Sequence, residues 1–539
     1  MAGTTPDTPQ SVPGQVARRN IGDFRTSAGP PAGDAPWHPE HELRTDHLAQ
    51  DIGRRTVRGG VFLFTAQAVK VAVQFGAVVI LARLLPPAAF GLVAMTAALN
   101  AILDPLKELG LSSATIQKPD ITHEQVSTLF WINAAVGAVT AAALIAAAPF
   151  IATFYRQPDL VPVTRWLALG FLIGGLGAQH WALLRRQMRL GAVALMESSS
   201  EILSFAVAIV LAIEGAGYWA LVAQRLASAF LIVVGGWTLC RWRPGPPSRA
   251  GGLRDLFNFG ASVSITTLLG TVARNLDQVL IGWLWGPAAL GLYERASKLL
   301  AVPLNNICIP FYSVGMPMLS RLTGDDARYR RAFCELLEKL VMVTVPTAAI
   351  IAVTADWITS VLFGPRWTAA APLVSWFGLA VAYYPAILAV TLLYLSQNRP
   401  GEMLRATFVD VGLALAAIFA GLRFGAVAVA AMLAVTGVLV RLPVSFWLST
   451  VRGPVRLIDL YATMLPAALS GIAVAGAIAG LRHVLPHALS PLIGLVVTAP
   501  LGLVVAATTF WIVPSSRRAL VSLLQLPRLM FGAGQPARS

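Results

Sequence analysis

Apolar runs, each about 20 residues long, recur from Gly59 almost to the end of this chain. A run of that length is what an α-helix needs to cross a hydrocarbon core roughly 30 Å thick, at about 1.5 Å of rise per residue. The runs are continuous and do not alternate, which excludes the period-two pattern of a transmembrane β-barrel. About fourteen spans are predicted on this crossing length, with cores at 60–82, 90–108, 129–152, 163–182, 194–213, 218–239, 258–284, 289–317, 338–362, 372–395, 403–421, 425–448, 461–481 and 490–512. Asp104 with Pro105 interrupts the second, and Pro303 with Pro310 the eighth. The expected fold class is an all-α polytopic membrane protein of about 14 transmembrane helices.

Between the runs the polar and turn residues repeat. Arg83-Leu-Leu-Pro-Pro-Ala-Ala-Phe-Gly-Leu92 follows the first span, and Trp283-Leu-Trp-Gly-Pro-Ala-Ala-Leu-Gly-Leu292 follows the seventh. Pro87, Ala88, Ala89, Gly91 and Leu92 recur as Pro287, Ala288, Ala289, Gly291 and Leu292. A weaker echo relates Gly217-Tyr-Trp-Ala-Leu to Gly425-Ala-Val-Ala-Val, at the entries to the sixth and twelfth spans. Six spans separate the copies, so both halves have the same orientation. The expected organisation is a disordered cytoplasmic tail (1–53), an N-lobe of six spans (54–250), a C-lobe of six (251–456), two additional spans (457–513) and a cytoplasmic C-terminal tail (514–539). Transporters built from such repeats carry their substrate site near the midplane at the repeat interface.

Composition agrees with the pattern. The chain is 56% hydrophobic and 12% charged, with a mean hydropathy of +0.68; soluble domains carry about 25% charged residues. No soluble domain larger than a loop is available. The net charge of +15 reads as cytoplasmic loops and not as a nucleic-acid surface. Roughly 29 Lys and Arg fall on one side and about 6 on the other, the positive-inside asymmetry of a multi-pass protein with both termini cytoplasmic. The first apolar run begins too late and runs too long for a cleaved signal peptide. Cys240, Cys308 and Cys334 show no disulfide framework. His38, His41 and His47 read as solvated tail.

Catalytic signatures are absent: there is no Walker loop, nucleophile elbow or zinc spacing. The outer loops are short turns whose only histidines are His483 and His487, too little for a glycan polymerase or ligase. The chemistry lies in charges within spans, each of which costs roughly 2.5–3.5 kcal/mol at mid-bilayer and usually faces a bundle interior or wet cavity. Arg274, Asp277, Glu294, Arg295 and Lys298 gather on one helical hairpin. Arg274 shares a face with Asp277 and Gln278, and Glu294 one with Lys298; Asp277 and Lys298 lie at matching depths and could meet. The cluster is either a set of ion pairs locking two helices or a cationic cavity tuned by carboxylates. Lys70 and Gln74 share one face of the first span, where Lys70 is too deep to snorkel. Glu197 and Glu201 are either an ion-coupling pair with raised pKa values or counter-charges to Arg225. Arg225, Asp410 and Arg441 are lesser candidates, and Gly170, Gly174, Gly175 and Gly177 read as close helix packing.

Together these features resemble the polysaccharide transporter family, the Wzx-type oligosaccharide flippases of the MATE-like flippase superfamily. The resemblance runs from about Arg54 to Ser449. It rests on Leu81-Ala-Arg-Leu-Leu-Pro-Pro-Ala-Ala-Phe-Gly-Leu-Val-Ala-Met95, Leu109-Gly-Leu-Ser-Ser-Ala-Thr-Ile-Gln-Lys118 and Ile121-Thr-His-Glu-Gln-Val-Ser-Thr-Leu-Phe-Trp131. Gly215-Ala-Gly-Tyr-Trp-Ala-Leu221, Asn275-Leu-Asp-Gln-Val-Leu-Ile-Gly282, Gly291-Leu-Tyr-Glu-Arg-Ala-Ser-Lys298 and Pro317-Met-Leu-Ser-Arg-Leu322 complete it. It implies two six-helix lobes around a hydrophilic cavity, working by alternating access. The implied cargo is an undecaprenyl-diphosphate-type lipid-linked oligosaccharide, moved across the inner membrane for exopolysaccharide, capsule or O-antigen assembly. Lys70, Arg274, Arg295 and Lys298 match the family's basic cavity positions, and Asp277 its acidic seventh-span position. Implied partners are the lipid-linked glycan, membrane lipids and other polysaccharide assembly proteins; no cofactor, metal or nucleic acid is expected. The long N-terminal tail departs from the pattern. The alternatives are a cation-coupled multidrug exporter of the same superfamily, which would want an acidic, aromatic cavity, and a membrane glycan polymerase or ligase.

Overall fold

The computed structural model describes residues 71–108, 112, 115–116, 121–248, 253–484, 490–514 and 516–522. The N-terminal tail with its three histidines, Lys70 and His487 lie outside the described residues. Described elements are all helical: α1 (Val71–Leu84), α2 (Pro87–Glu108), α3 (His123–Tyr155), α4 (Leu160–Arg186), α5 (Leu190–Ile213), α6 (Trp219–Leu239), α7 (Leu253–Ser320), α8 (Asp326–Val353), α9 (Ala355–Leu362), α10 (Ala371–Ser396), α11 (Pro400–Leu422), α12 (Ala426–Thr450), α13 (Leu457–Val484) and α14 (Pro491–Ile512). Eleven described helices are long and apolar enough to cross a membrane, and α1 is a shorter apolar helix. This is a multi-pass membrane protein.

The helix ends follow local chemistry. Thr122 and Gln125 cap α3 reciprocally, each side chain accepting from the other's backbone N–H at 3.2 Å. The Asp325 carboxylate accepts from Arg328 N at 3.0 Å to start α8. The 68-residue α7 is two arms, 253–285 and 287–320, that meet at Gly286 with φ 78°. That left-handed backbone favours glycine, and Pro287 then opens the second arm as Pro87 opens α2, where a missing N–H costs nothing. Asp104 with Pro105, and Pro303 with Pro310, lie inside continuous helices, as membrane prolines can when neighbours satisfy the freed carbonyls.

Helices α3–α6 pack chiefly on one another, α3 on α4 and α5 on α6, and α2 packs chiefly on α7; α8, α10, α11 and α12 also gather with α7, and α13 and α14 pack against α8. Small residues set the closest approaches: Gly137 faces the Phe171 carbonyl and Gly175 the Asn133 carbonyl, leaving no room for a Cβ. Without a hydrophobic drive in lipid, such close packing is what holds membrane helices together. Within α12 a π-helical turn spans Gly437–Arg441. The ring of Tyr383 fills the space a side chain at 437 would need.

The two repeated turns cross and touch. α2 and α7 form the most extensive helix contact among the described residues. A Cβ on Gly91 would overlap the backbone of Pro287, and one on Gly291 the backbone of Pro87. The repeat is thus a reciprocal contact as well as a sequence echo. Further ties gather at this end, here called the turn end. The buried Trp367 indole donates to Ala82 O at 2.7 Å, Arg83 donates to Leu362 O at 3.3 Å and to Val361 O, and Phe154 stacks on Trp283 at 5.7 Å.

Candidate functional site

Below that crossing lies a cavity of about 540 Å³, lined by α1, α4, α5, α6 and the second arm of α7. Depth from the turn end follows from the rise of about 1.5 Å per residue. Arg225 lies about 9 Å into α6, Arg295 about 12 Å and Lys298 about 17 Å into the second arm, and Gln74 about 17 Å back along α1. A bilayer core of roughly 30 Å puts its midplane near 15 Å, so these side chains line the cavity around mid-membrane. Trp181, about 32 Å along α4, marks the opposite end.

Among the described residues the wall carries three cations, Arg225, Arg295 and Lys298, and one carboxylate, Glu201. Behind it sits Glu294, whose side chain is 3% exposed and pairs with Arg295 at 2.9 Å and with Lys298. The Arg295 guanidinium also lies 4.2 Å over the Phe90 ring. Glu294 therefore offsets part of the positive charge and fixes where it points, while Lys298 stays half exposed at 51%. Arg225 lies within electrostatic reach of Glu294, Arg295 and Asp104. A convergent set of Arg and Lys in a low-dielectric wall suits a phosphate or diphosphate, which guanidinium groups bind bidentately.

The expected residues separate into groups. Gln74, Arg295, Lys298, Glu201 and Arg225 are brought together around the cavity. Arg274 is not among its lining; it is exposed and bonds Thr271 Oγ1 at 3.1 Å on its own helix. Asp277 meets Tyr293, not Lys298: the Tyr293 hydroxyl donates to its carboxylate at 2.7 Å. Glu197 accepts from the Trp181 indole N–H at 3.3 Å. Asp410 and Arg441 form a bidentate pair, both contacts 2.8 Å, held by the π turn away from the cavity. Of the glycines, Gly175 is close packing, whereas Gly170, Gly174 and Gly177 line the cavity; Gly177 also packs against Val233, and Gly170 has open space before it. Trp181, Gln224 and Ser228 are lining residues that carry no intramembrane charge, and so no signal in the sequence.

Comparison with known proteins places the chain. The profile of a family described as polysaccharide biosynthesis protein matches residues 80–372. The teichuronic acid biosynthesis protein TuaB of Bacillus subtilis (strain 168) is 30% identical over 273 residues, 50% of this chain and 56% of that protein. The lipopolysaccharide biosynthesis protein WzxC of Escherichia coli (strain K12) is 23% identical over 329 residues, 60% of this chain and 66% of that one. The chain thus matches less than two thirds of the length of either relative. Among solved structures, the lipid II flippase MurJ in an inward closed conformation superposes with a TM-score of 0.66 at 11% identity, covering 84% of this chain and 99% of that one. An inward-facing multidrug resistance MATE family transporter of the MOP superfamily superposes at 0.52 with 14% identity, covering 76% and 95%. At these identities the two structures establish the fold.

Proposed function

We propose that this chain, which belongs to the polysaccharide biosynthesis protein family, turns a polyprenyl-diphosphate-linked oligosaccharide from the cytoplasmic to the outer leaflet of the inner membrane. The observation that carries the reading is the cavity with Arg225, Arg295 and Lys298 around mid-membrane. Moving such a lipid requires a polar path for diphosphate and sugars while the polyprenyl tail stays in lipid. The cavity supplies that path, and its cations replace the water lost by the diphosphate. Relatives named as teichuronic acid and lipopolysaccharide biosynthesis proteins, and a fold shared with a lipid II flippase, support the same class of cargo.

The working parts are two six-helix lobes, 54–250 and 251–456, with 457–513 added beside the second. With the turn end outward, as the distribution of Lys and Arg directs, the Gly91/Gly291 crossing is the outer closure. The cavity then serves the cytoplasmic side, and alternating access requires the turn-end ties to part. The protein works as a transporter with no catalytic step, and both termini are cytoplasmic. An exporter of cationic drugs would want an acidic cavity, whereas among the described residues three cations stand here against one carboxylate. The test is leaflet turnover of a polyprenyl-diphosphate-linked oligosaccharide by the purified protein in vesicles. Turnover no faster than in protein-free vesicles would overturn the reading.

A further inference from the structure

The cavity is not uniform along its length. Its cations lie about 9–17 Å from the turn end, whereas Trp181 lies about 15 Å beyond Lys298 by helical rise. Here the wall changes from charged to aromatic, with Glu201 on α5 between the two.

Trp181 is unusually constrained for a cavity-lining side chain. Its indole N–H is held by Glu197 Oε1 at 3.3 Å. The guanidinium of Arg185, one turn on along α4, lies 3.8 Å from the ring centroid and covers one face. Arg185 is not part of the cavity wall, whereas the indole borders the cavity on one side and packs on the other against the buried cluster that holds Leu184, Met196 and Trp242. Glycine and alanine at 174, 177 and 178 share the wall beside it, so the wall next to the ring is built of small residues. An interfacial tryptophan that merely anchored the helix would meet lipid headgroups; this one faces a cavity and is oriented by two neighbours.

We infer that Trp181 is a stacking platform for a pyranose ring of the cargo, positioned by Glu197 and Arg185. The C–H groups on the apolar face of a pyranose carry slight positive charge and pack on the electron-rich face of an aromatic ring, which is negative at its centre. The sugar's hydroxyls remain free to reach polar groups such as Glu201. The cavity then reads its cargo in two segments, diphosphate at the cations and the first sugars at Trp181. This assignment rests on the proposed function and deepens it by naming the part of the cargo that the aromatic end recognises.

The test compares two lipids on the full-length protein in nanodiscs: undecaprenyl diphosphate, and undecaprenyl diphosphate carrying one galactose. The wild type should bind the glycosylated lipid tighter. Trp181→Ala should lose about tenfold in affinity for it, equivalent to about 1.4 kcal/mol, while binding undecaprenyl diphosphate unchanged. Trp181→Phe keeps a ring and should retain most of the preference, which separates stacking from damage to the fold. Equal weakening of both lipids in Trp181→Ala, or no change in either, overturns the platform and leaves the flippase reading standing. Binding of neither lipid by the wild type overturns the flippase reading itself, and the platform with it.

Discussion

Replacing Gly91 with alanine should force the two halves apart at the turn end. The new Cβ would sit on the carbonyl group of Pro287, backbone that cannot swing aside as a flexible side chain would. Gly291 faces Pro87 in the same way, so Gly291→Ala is an independent copy of the experiment. Forcing a methyl into such a contact costs about 1–3 kcal/mol. The cost falls only on the state in which the turns touch, because a state in which they part has room for the methyl. The balance between the two states therefore moves about 5- to 150-fold. The assay uses a single reporter cysteine at Ser228 in the cavity wall, with Cys240, Cys308 and Cys334 replaced by serine. A membrane-impermeant maleimide is applied from the turn-end face of the membrane. Labelling should rise sharply in Gly91→Ala and in Gly291→Ala. Unchanged labelling in a variant that inserts and remains stable would refute the reasoning, because the crossing would then be a permanent joint and not a closure.

Two further substitutions probe the cavity and its boundary. Gly170 lines the cavity and has open space where a side chain would go, so Gly170→Leu should insert with normal stability yet block turnover; stability is read as thermal unfolding in detergent. Arg274 bonds Thr271 within its own helix and is not among the described lining of the cavity. Arg274→Glu should therefore cost turnover less than Arg295→Glu does, checked by the same vesicle assay on variants that insert normally.

Much of the architecture was legible in the chain because membrane helices announce themselves by length and apolarity. The repeated Pro-Ala-Ala-x-Gly-Leu turn was legible too, and its glycines prove to be the contact between halves. Helical spacing correctly placed Glu294 beside Lys298, since neighbours at i and i+4 are fixed by the helix itself. It could not say which face of a helix turns toward another. Hence Arg274, expected beside the cavity, lies off it, and Asp277, expected to reach toward Lys298, is met by Tyr293. Arg225, a lesser candidate in the sequence, stands with Arg295 and Lys298 in the cavity wall. The cavity's neutral wall was invisible for another reason. A glycine that packs a helix and a glycine that opens a cavity look alike in sequence, and Gly175 and Gly170, five residues apart, do one each.

The central claim is that cations around mid-membrane carry the diphosphate of a lipid-linked glycan between leaflets. Its most direct test is leaflet turnover of undecaprenyl-diphosphate-linked oligosaccharide in vesicles, comparing wild type with Arg295→Glu and Lys298→Glu. Reversing either charge replaces attraction for the diphosphate with repulsion in a wall where water screens little. The wild type should turn the lipid over, and each variant should lose at least about tenfold, equivalent to about 1.4 kcal/mol, with insertion intact. Turnover in both variants at the wild-type rate would contradict it.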